Sequence, residues 1–512
     1  MIKKILVVFM LLTVVLTGCG KEKEVIEDKT EVVDLKPDFG GEMNIAIDSI
    51  DNPNPILVEG KDMEELLDIA YERLFDYDAE GKIIPVIAKN LEVSDSGYIY
   101  TFDVNEEVKW ANGESVSAED VIYTLDQIKA SEESIYNDMF KNIAYYKITE
   151  DGKVKISYKD VLTSNMYELN IPIINKGDYK IGSGQYTYDG GTYEKELNFV
   201  RNENYYKGKP YIEKIRVIEV SDEKFIEDGL KHGEIDFVKG SLVNYTKFLN
   251  KDKYKIDTYK SNLYDFMAFN FKNKLLSIPE VRKSIEATIN RETIIKSIYG
   301  SFAEEAISPI YPKWLVTDLS DNNVKVNSKE VLKEYGFEDY TGDGILEYKT
   351  NGKKSTLRFK ILVNEENGNR MKVAEYVKSE LRKIGIETEI VAKPFEEYSN
   401  DFKRGNFDIV LGGWELSMNP DLTALFNSKV NKLEYKSEKV DALLKDAYTV
   451  RDLEELRETY SSIEFVLNDE IPYIDLVFRN KLIVRSIKVK GELEVDNSKI
   501  YKNIYKLYIN EK

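Results

Sequence analysis

The sequence predicts an α/β protein with room for two or three domains, preceded by a short leader. Strand-type and helix-type patterns interleave from Phe39 to the C-terminus, with no short-period repeat or low-complexity block. The only cysteine among 512 residues is Cys19, so no disulfide can form within the chain and a packed core must hold the fold. Length and a hydrophobic content of 42% permit that core.

The leader comes first. Lys3 and Lys4 form a positive start, Ile5 to Leu16 is an apolar, Thr-containing run, and the small residues Thr17 and Gly18 follow. The run is shorter than the roughly 20 residues of a membrane-spanning helix. Leu16-Thr17-Gly18-Cys19 resembles the bacterial lipobox. The resemblance implies a signal peptide over residues 1–18, cleavage before Cys19 and a diacylglycerol on its sulfur. Residues 19–38, charged and poor in aromatics, read as a flexible tether.

Order is expected to begin at "FGGEMNIAID", where Met43, Ile45 and Ile47 alternate with Asn44 and Ala46 as in a strand. In "SVSAEDVIYTLDQI", Ser117 and Asp120 form a capping box ahead of Val121, Ile122, Leu125 and Ile128. In "SIPEVRKSIEATIN", Ser277 reads as the cap and Pro279 as the first turn, with Val281, Ile285 and Ile289 as the apolar stripe. Val373, Val377, Leu381 and Ile384 line a further helix ended by Gly385, and Ile386 to Val391 is a strand. "FDIVLGGWEL" follows as another strand. A long helical stretch from Ser437 to Leu467 leads to the strand "YIDLVF".

Composition excludes several chemistries. The formal charge of −20, or −22 once Lys3 and Lys4 leave with the leader, does not suit a nucleic-acid binder. His232 is the only histidine, which rules out an H-E-x-x-H zinc site, and Gly233 beside it reads as a helix terminator. "GSGQY" lacks the spacing of a nucleophile elbow, and "NGKKS" has Glu347 where a P-loop needs its first glycine. "DYTGDGILEYKT" places Asp339, Asp343, Gly344 and Glu347 as an EF-hand loop does. Thr350 stands where the bidentate glutamate belongs, so a polar turn is expected. No catalytic residue, metal ligand or cofactor is expected.

The stretch from Tyr71 to Ile128 carries a run of spaced motifs: Tyr71 and Leu74, Asp78 and Gly81, Pro85 and Ala88, Ser94 and Gly97, Trp110 and Gly113, and Ala118 to Val121. It resembles the family 5 solute-binding proteins, the extracytoplasmic receptors of peptide, nickel and related ABC importers. "SGQYTY" (with Gln185 in place of proline), "NENYYKGKPYIEKIRV" (Tyr206 for Trp), "GLKHGEIDF", "EVRKSIEATINRETI", "LRKIGIETEI" and "FDIVLGGWELSMNPD" continue the resemblance in family order.

The resemblance implies a two-lobed, periplasmic-binding-protein-like fold of type II, closing by a hinge over its ligand, with an extra subdomain on the N-terminal lobe. Lobe I would comprise residues 39–56, 175–262 and 480–512, the extra subdomain 57–174, and lobe II 263–479. In peptide-binding members the Gly-Trp segment offers its backbone to an extended peptide, and an aspartate three residues after the Trp pairs with the α-amino group. Gly413 and Trp414 match; Ser417 stands at the aspartate position, and Glu415 or Asp421 would substitute if the loop were re-registered. The candidate ligand-binding set is therefore Gly413, Trp414, Glu415, Ser417 and Asn419, with Tyr264 and Phe266 on the hinge strand.

The implied function is that of a monomeric, lipid-anchored receptor on the outer face of the bacterial cell membrane. It would deliver a peptide or peptide-like solute to the permease of an ABC importer. A second reading keeps the scaffold and changes the solute to a metal chelate, opine or sugar, motivated by Ser417. A third, a surface hydrolase, has no catalytic constellation to carry it.

Overall fold

Two long strands, Tyr254–Phe269 and Tyr473–Ser486, run antiparallel through the middle of the molecule. Both are rich in aromatic and branched residues, which suit a pleated, buried backbone. The computed structural model describes residues 37–78, 80–192, 195–249, 252–316, 327–450, 452–495 and 499–510; the leader, Cys19 and residues 20–36 of the tether lie outside them. Among the described residues the two strands are central to an eleven-stranded sheet. Beyond Tyr473–Ser486 lie Phe237–Lys239, Glu42–Ile47, Lys214–Glu219, Glu196–Arg201 and Tyr186–Thr192. Beyond Tyr254–Phe269 lie Ile409–Glu415, Arg358–Asn364 and Glu387–Lys393.

The register of the central pair breaks in its middle, between Tyr259 and Leu263, and shifts again between Asp265 and Phe266. Tyr254 to Tyr259 face Ser486 to Lys481, and pairing resumes with Leu263 opposite Arg479. Extra residues on one strand at such a point bend and twist the pair. The hydrophobic core divides at the same place. Tyr259 and Ile483 pack with Ile45, Val217 and Phe237. Tyr264, Phe266 and Phe478 pack instead with Val410, Leu416 and Tyr460, and Met267 and Val477 with Ile285 and Val377.

On the N-terminal side a four-stranded antiparallel sheet, in the order Ala88–Val93, Ile99–Val104, Val154–Tyr158, Ile143–Ile148, carries the helix Ala118–Ala130. The expected capping box is present: Ser117 Oγ accepts from the Asp120 N–H at 3.3 Å, and Asp120 Oδ2 accepts from the Ser117 N–H at 2.9 Å. The same carboxylate accepts from the indole N–H of buried Trp110 and, through Oδ1, from the Lys176 N–H at 3.0 Å. One cap thus ties three segments together. Gln185, where the family pattern has proline, is buried. Its amide donates to the carbonyls of Tyr501 and Lys502 at 2.9 and 2.8 Å, and its oxygen accepts from the Tyr505 N–H at 2.7 Å.

On the C-terminal side the helix Gly368–Lys383 buries Val373, Val377 and Leu381, and Gly385 ends it with φ +86°. The next strand runs parallel to Arg358–Asn364. Three local expectations change. The helix at Pro279–Glu286 is capped by Ile278 rather than Ser277, whose hydroxyl donates to the Asn273 and Lys274 carbonyls. Ile289, although buried, lies past that helix's end. The stretch from Ser437 to Leu467 is two helices, Glu438–Ala447 and Leu453–Glu470. Asp452 starts the second by accepting from the Glu454 and Glu455 N–H groups. In the EF-hand-like segment, Asp339 accepts from the Gly342 and Gly344 N–H groups, and Glu347 from the Tyr340 N–H, closing a polar turn on itself.

Candidate functional site

The strand Ile409–Glu415 is paired along one edge, with Asp265 opposite Gly413, Tyr264 opposite Trp414 and Leu263 opposite Glu415. On its other edge only Ile409 and Val410 meet a strand, at Ile361 and Leu362. Past Val410 the Tyr398 hydroxyl donates to the Leu411 carbonyl. From Gly412 to Glu415 that edge has no strand partner among the described residues.

Side chains alternate across the strand, so its two faces differ. On one face Trp414 stacks on Phe266, ring centroids 6.1 Å apart and planes 14° from parallel, and Phe266 stacks on Tyr264 at 5.6 Å. Trp414 is 37% exposed, whereas Tyr264 and Phe266 are 0% and 1% exposed. Expected as pocket walls, the latter two are core residues that support Trp414 from behind. The Tyr264 hydroxyl donates to Asp475 on the second central strand. Burial pushes the Asp475 carboxyl up to about 7, with Tyr264 and Arg291 only partly opposing the shift.

On the opposite face lies a cluster that sequence reasoning missed. Asp265 is 1% exposed. Its Oδ1 accepts from Arg370 Nη2 at 2.7 Å and Nε at 3.3 Å; its Oδ2 accepts from the Tyr299 hydroxyl at 2.7 Å and lies 3.1 Å from Arg479 Nε. Gly413 leaves the space for this. A Cβ there would sit 3.0 Å from Arg370 Cζ and run into Nη2 and Asp265 Oδ1. Burial works against the Arg370 charge, but the Asp265 carboxylate outweighs it and raises the guanidinium above its usual range. The signal in the sequence was an ionisable residue, Asp265, inside the apolar strand "LYDFMAF". Its partners stand 34 to 214 positions away, at Tyr299, Arg370 and Arg479.

Glu415 points toward the N-terminal side. Lys61, at the start of the helix Lys61–Leu67, pairs with it, and Lys481 lies 3.3 Å away. Lys481 also reaches Glu65 at 3.8 Å, and Lys239 pairs with Asp62 and Glu65 at 2.5 Å each. Burial opposes the Glu415 charge, yet Lys61 and Lys481 hold its carboxyl below the usual range. Ser417 is exposed in the following turn, where its Oγ accepts from the Asn419 N–H at 3.1 Å. Asp421 accepts from the Thr423 N–H at 2.8 Å. Both carboxylates that would replace the missing aspartate are thus engaged, Glu415 by two lysines. A second bridge lies farther out: the Thr163 N–H donates to the Tyr448 carbonyl at 3.0 Å, and its hydroxyl is 2.8 Å from the Ala447 and Val450 carbonyls.

Among the described residues no group of His, Cys, Asp or Glu side chains is placed to hold a metal ion, and no helix is long and apolar enough to cross a membrane.

Residues 82–433 match the model of the bacterial extracellular solute-binding proteins, family 5. The chain belongs to this family. It is therefore a solute-binding protein and not an enzyme. The oligopeptide-binding protein AppA of Bacillus subtilis is 26% identical to the family member described here, over 94% of each chain. Among solved structures, an ABC transporter substrate-binding protein from Sinorhizobium meliloti superposes with a TM-score of 0.79 at 21% identity, covering 92% of this chain and 100% of that one. NikZ from Campylobacter jejuni, in complex with Ni(L-His), gives 0.65 at 24% identity, covering 91% and 99%. These likenesses establish the fold as the two-lobed, mixed α/β architecture of periplasmic solute-binding proteins.

Proposed function

We propose that the protein captures a peptide or peptide-like solute between its lobes and delivers it to the permease of an ABC importer. The unpaired edge from Gly412 to Glu415, with the Trp414 ring exposed beside it, carries this reading. Such an edge offers N–H and C=O groups at strand spacing, which suits an extended peptide added as one more strand. Trp414 supplies a flat, sequence-tolerant contact, and Glu415, Ser417 and Asn419 border the same strand end. The oligopeptide-binding name of the Bacillus subtilis relative favours the same solute class.

In this reading lobe I is residues 39–56, 175–262 and 480–512, with the extra subdomain at 57–174, and lobe II is 263–479. Closure bends the central strands between Tyr259 and Leu263, and a solute that binds the closed state better shifts the population toward it. Cys19 carries the lipid that keeps the monomer at the outer membrane face.

Lack of an aspartate at Ser417, with Glu415 and Asp421 engaged, favours a second reading in which the solute has no free α-amine or is a metal chelate. The Ni(L-His) complex of NikZ shows that this fold accommodates such a cargo. Native mass spectrometry of gently purified protein separates the two. Co-purifying peptides support the first reading; a bound chelate or other non-peptide solute overturns it.

A further inference from the structure

In the lobe division proposed for this fold, the extra subdomain of residues 57–174 meets lobe II at three places, and each contact runs from protein to protein without needing a solute atom. Lys61 pairs with Glu415 at the end of the candidate solute strand. Gly81 closes the turn between the strands Phe75–Tyr77 and Ile83–Pro85, its N–H donating to the Asp78 carbonyl at 3.0 Å. With φ +84° it packs so closely on lobe II that a Cβ there would sit 2.5 Å from Pro312 Cβ and 3.5 Å from Met418 Sδ, in the loop between Ser417 and Asn419. Thr163 makes the third contact. The last carbonyls of a helix have no partner within it. Those at the end of Glu438–Ala447 are met by Thr163, whose N–H donates to Tyr448 and whose hydroxyl lies 2.8 Å from the Ala447 and Val450 carbonyls. A cavity beside it is lined by Tyr100, Leu162 and Met166 of the subdomain and by Val450, Leu453 and Leu456 of lobe II, so this seam is not close-packed as a core is. A few directed bonds over loosely packed side chains separate at low cost. Lobe I, by contrast, reaches lobe II along the hinge. Asn262 donates to the Leu416 carbonyl at 2.6 Å, Lys260 lies 3.2 Å from Glu304, and the rings of Tyr245 and Phe302 are 5.3 Å apart.

We infer that the extra subdomain is the strap that fastens the closed cleft: Lys61, the Gly81 turn and Thr163 release together when the lobes part, and a solute enters or leaves only when they do. They move as one because buried Arg73 ties their segments to each other. Its Nε donates to Asp68, at the end of the helix that begins with Lys61, at 2.8 Å, and its Nη1 donates to the Asn170 carbonyl at 3.1 Å. The Asn170 side chain in turn donates to the Phe75 carbonyl, on the strand leading to Gly81, at 2.8 Å. Two of the three contacts also bear on the solute strand, since Lys61 holds Glu415 and Gly81 covers Met418. How long a solute stays is then set in part by contacts the solute does not make. The inference rests on the lobe division and on the cleft reading of the Gly413–Trp414 strand.

The test follows hydrogen exchange in the purified full-length chain with no solute added. Exchange at the Thr163 amide, whose acceptor is on lobe II, reports release of the strap, and the wild type is expected to protect it. Gly81→Ala drives the turn off Pro312 and is expected to speed exchange at Thr163 about tenfold or more, although neither residue touches Thr163. Gly152 is the control. It lies in the same subdomain with φ +83°, and an added Cβ would meet nothing within 4 Å. Gly152→Ala carries the same backbone strain without the collision and is expected to leave Thr163 as in the wild type. Lys61→Met removes a surface ion pair and is expected to speed the same amide about two- to threefold. A Thr163 amide that exchanges at the free-chain rate in the wild type overturns the strap. So does a rate in Gly81→Ala equal to that of the wild type or of Gly152→Ala. If Gly81→Ala unfolds the subdomain, seen as fast exchange along the strand Ile99–Val104, Lys61→Met decides: faster exchange at Thr163 supports the strap, and an unchanged rate overturns it. No solute enters this test, so its failure leaves the peptide reading to be judged by native mass spectrometry alone.

Discussion

Replacing Gly413 with alanine tests the geometry of the site with a single methyl group. Gly413 has an ordinary negative-φ backbone, so alanine meets no conformational penalty there and would even restrict the unfolded chain. The cost is steric and electrostatic. The new Cβ would lie 3.0 Å from Arg370 Cζ and closer still to Nη2, so the guanidinium must leave Asp265. Removing one partner of a buried ion pair typically costs about 3–5 kcal/mol. Here Asp265 keeps Arg479 and Tyr299, and Arg370 can swing toward water, which reduces the expected loss to about 2–3 kcal/mol. The assay is equilibrium urea unfolding of four proteins: wild type, Gly413→Ala, Arg370→Gln and the double variant. Once Arg370 is shortened only Asp265 Oδ1, against the new Cβ, still has to give way, so Gly413→Ala should cost about 1 kcal/mol in that background, giving a coupling of about 1–2 kcal/mol. A Gly413→Ala protein as stable as wild type, or one equally destabilised in both backgrounds, would refute the argument that Arg370 occupies the space glycine leaves.

Gln185→Ala strands two carbonyls and one N–H of the C-terminal segment. It is expected to destabilise by about 3 kcal/mol and to speed hydrogen exchange at the Tyr505 amide. Asp475 binds its proton more tightly when folded, near pH 7, than in the unfolded chain, near 3.8, so its contribution is present in full below about pH 4 and lost as pH rises through 7. The loss is at most about 4 kcal/mol, and Asp475→Asn should flatten the unfolding free energy across that window; an unchanged pH slope would sink the assignment. Cys19→Ala should abolish labelling of the protein by a fatty acid in cells, and retained label would exclude lipid attachment at that residue.

Local signals in the sequence translated directly into local structure. The Ser117–Asp120 box caps its helix, Gly385 ends another, and Gly233 stops the helix that bears His232, because each is a contest between nearby backbone groups and one side chain. Where two adjacent signals competed, the reading slipped. Ser277 looked like a cap, but its hydroxyl turned back to carbonyls behind it, and Pro279 set the helix start. Asp452 divides one long helical pattern into two helices.

The family, the order of its motifs and the Gly413–Trp414 strand were legible from residues close together in the chain. Whether a side chain on that strand or its neighbour is buried or exposed was not. Tyr264 and Phe266 share the aromatic character of Trp414 and its face of the sheet, and only the packing over that face separates buried support from exposed ring. The ion cluster was further out of reach. Asp265 is a conspicuous charge in an apolar strand, but its meaning depends on Arg370 and Arg479, which approach from a helix and from the neighbouring central strand. Sequence by itself determined the elements and the family, since those are set by short-range chemistry and spacing. Tertiary structure decided which charges meet, because those pairs exist only when distant segments are brought to within a hydrogen bond of one another.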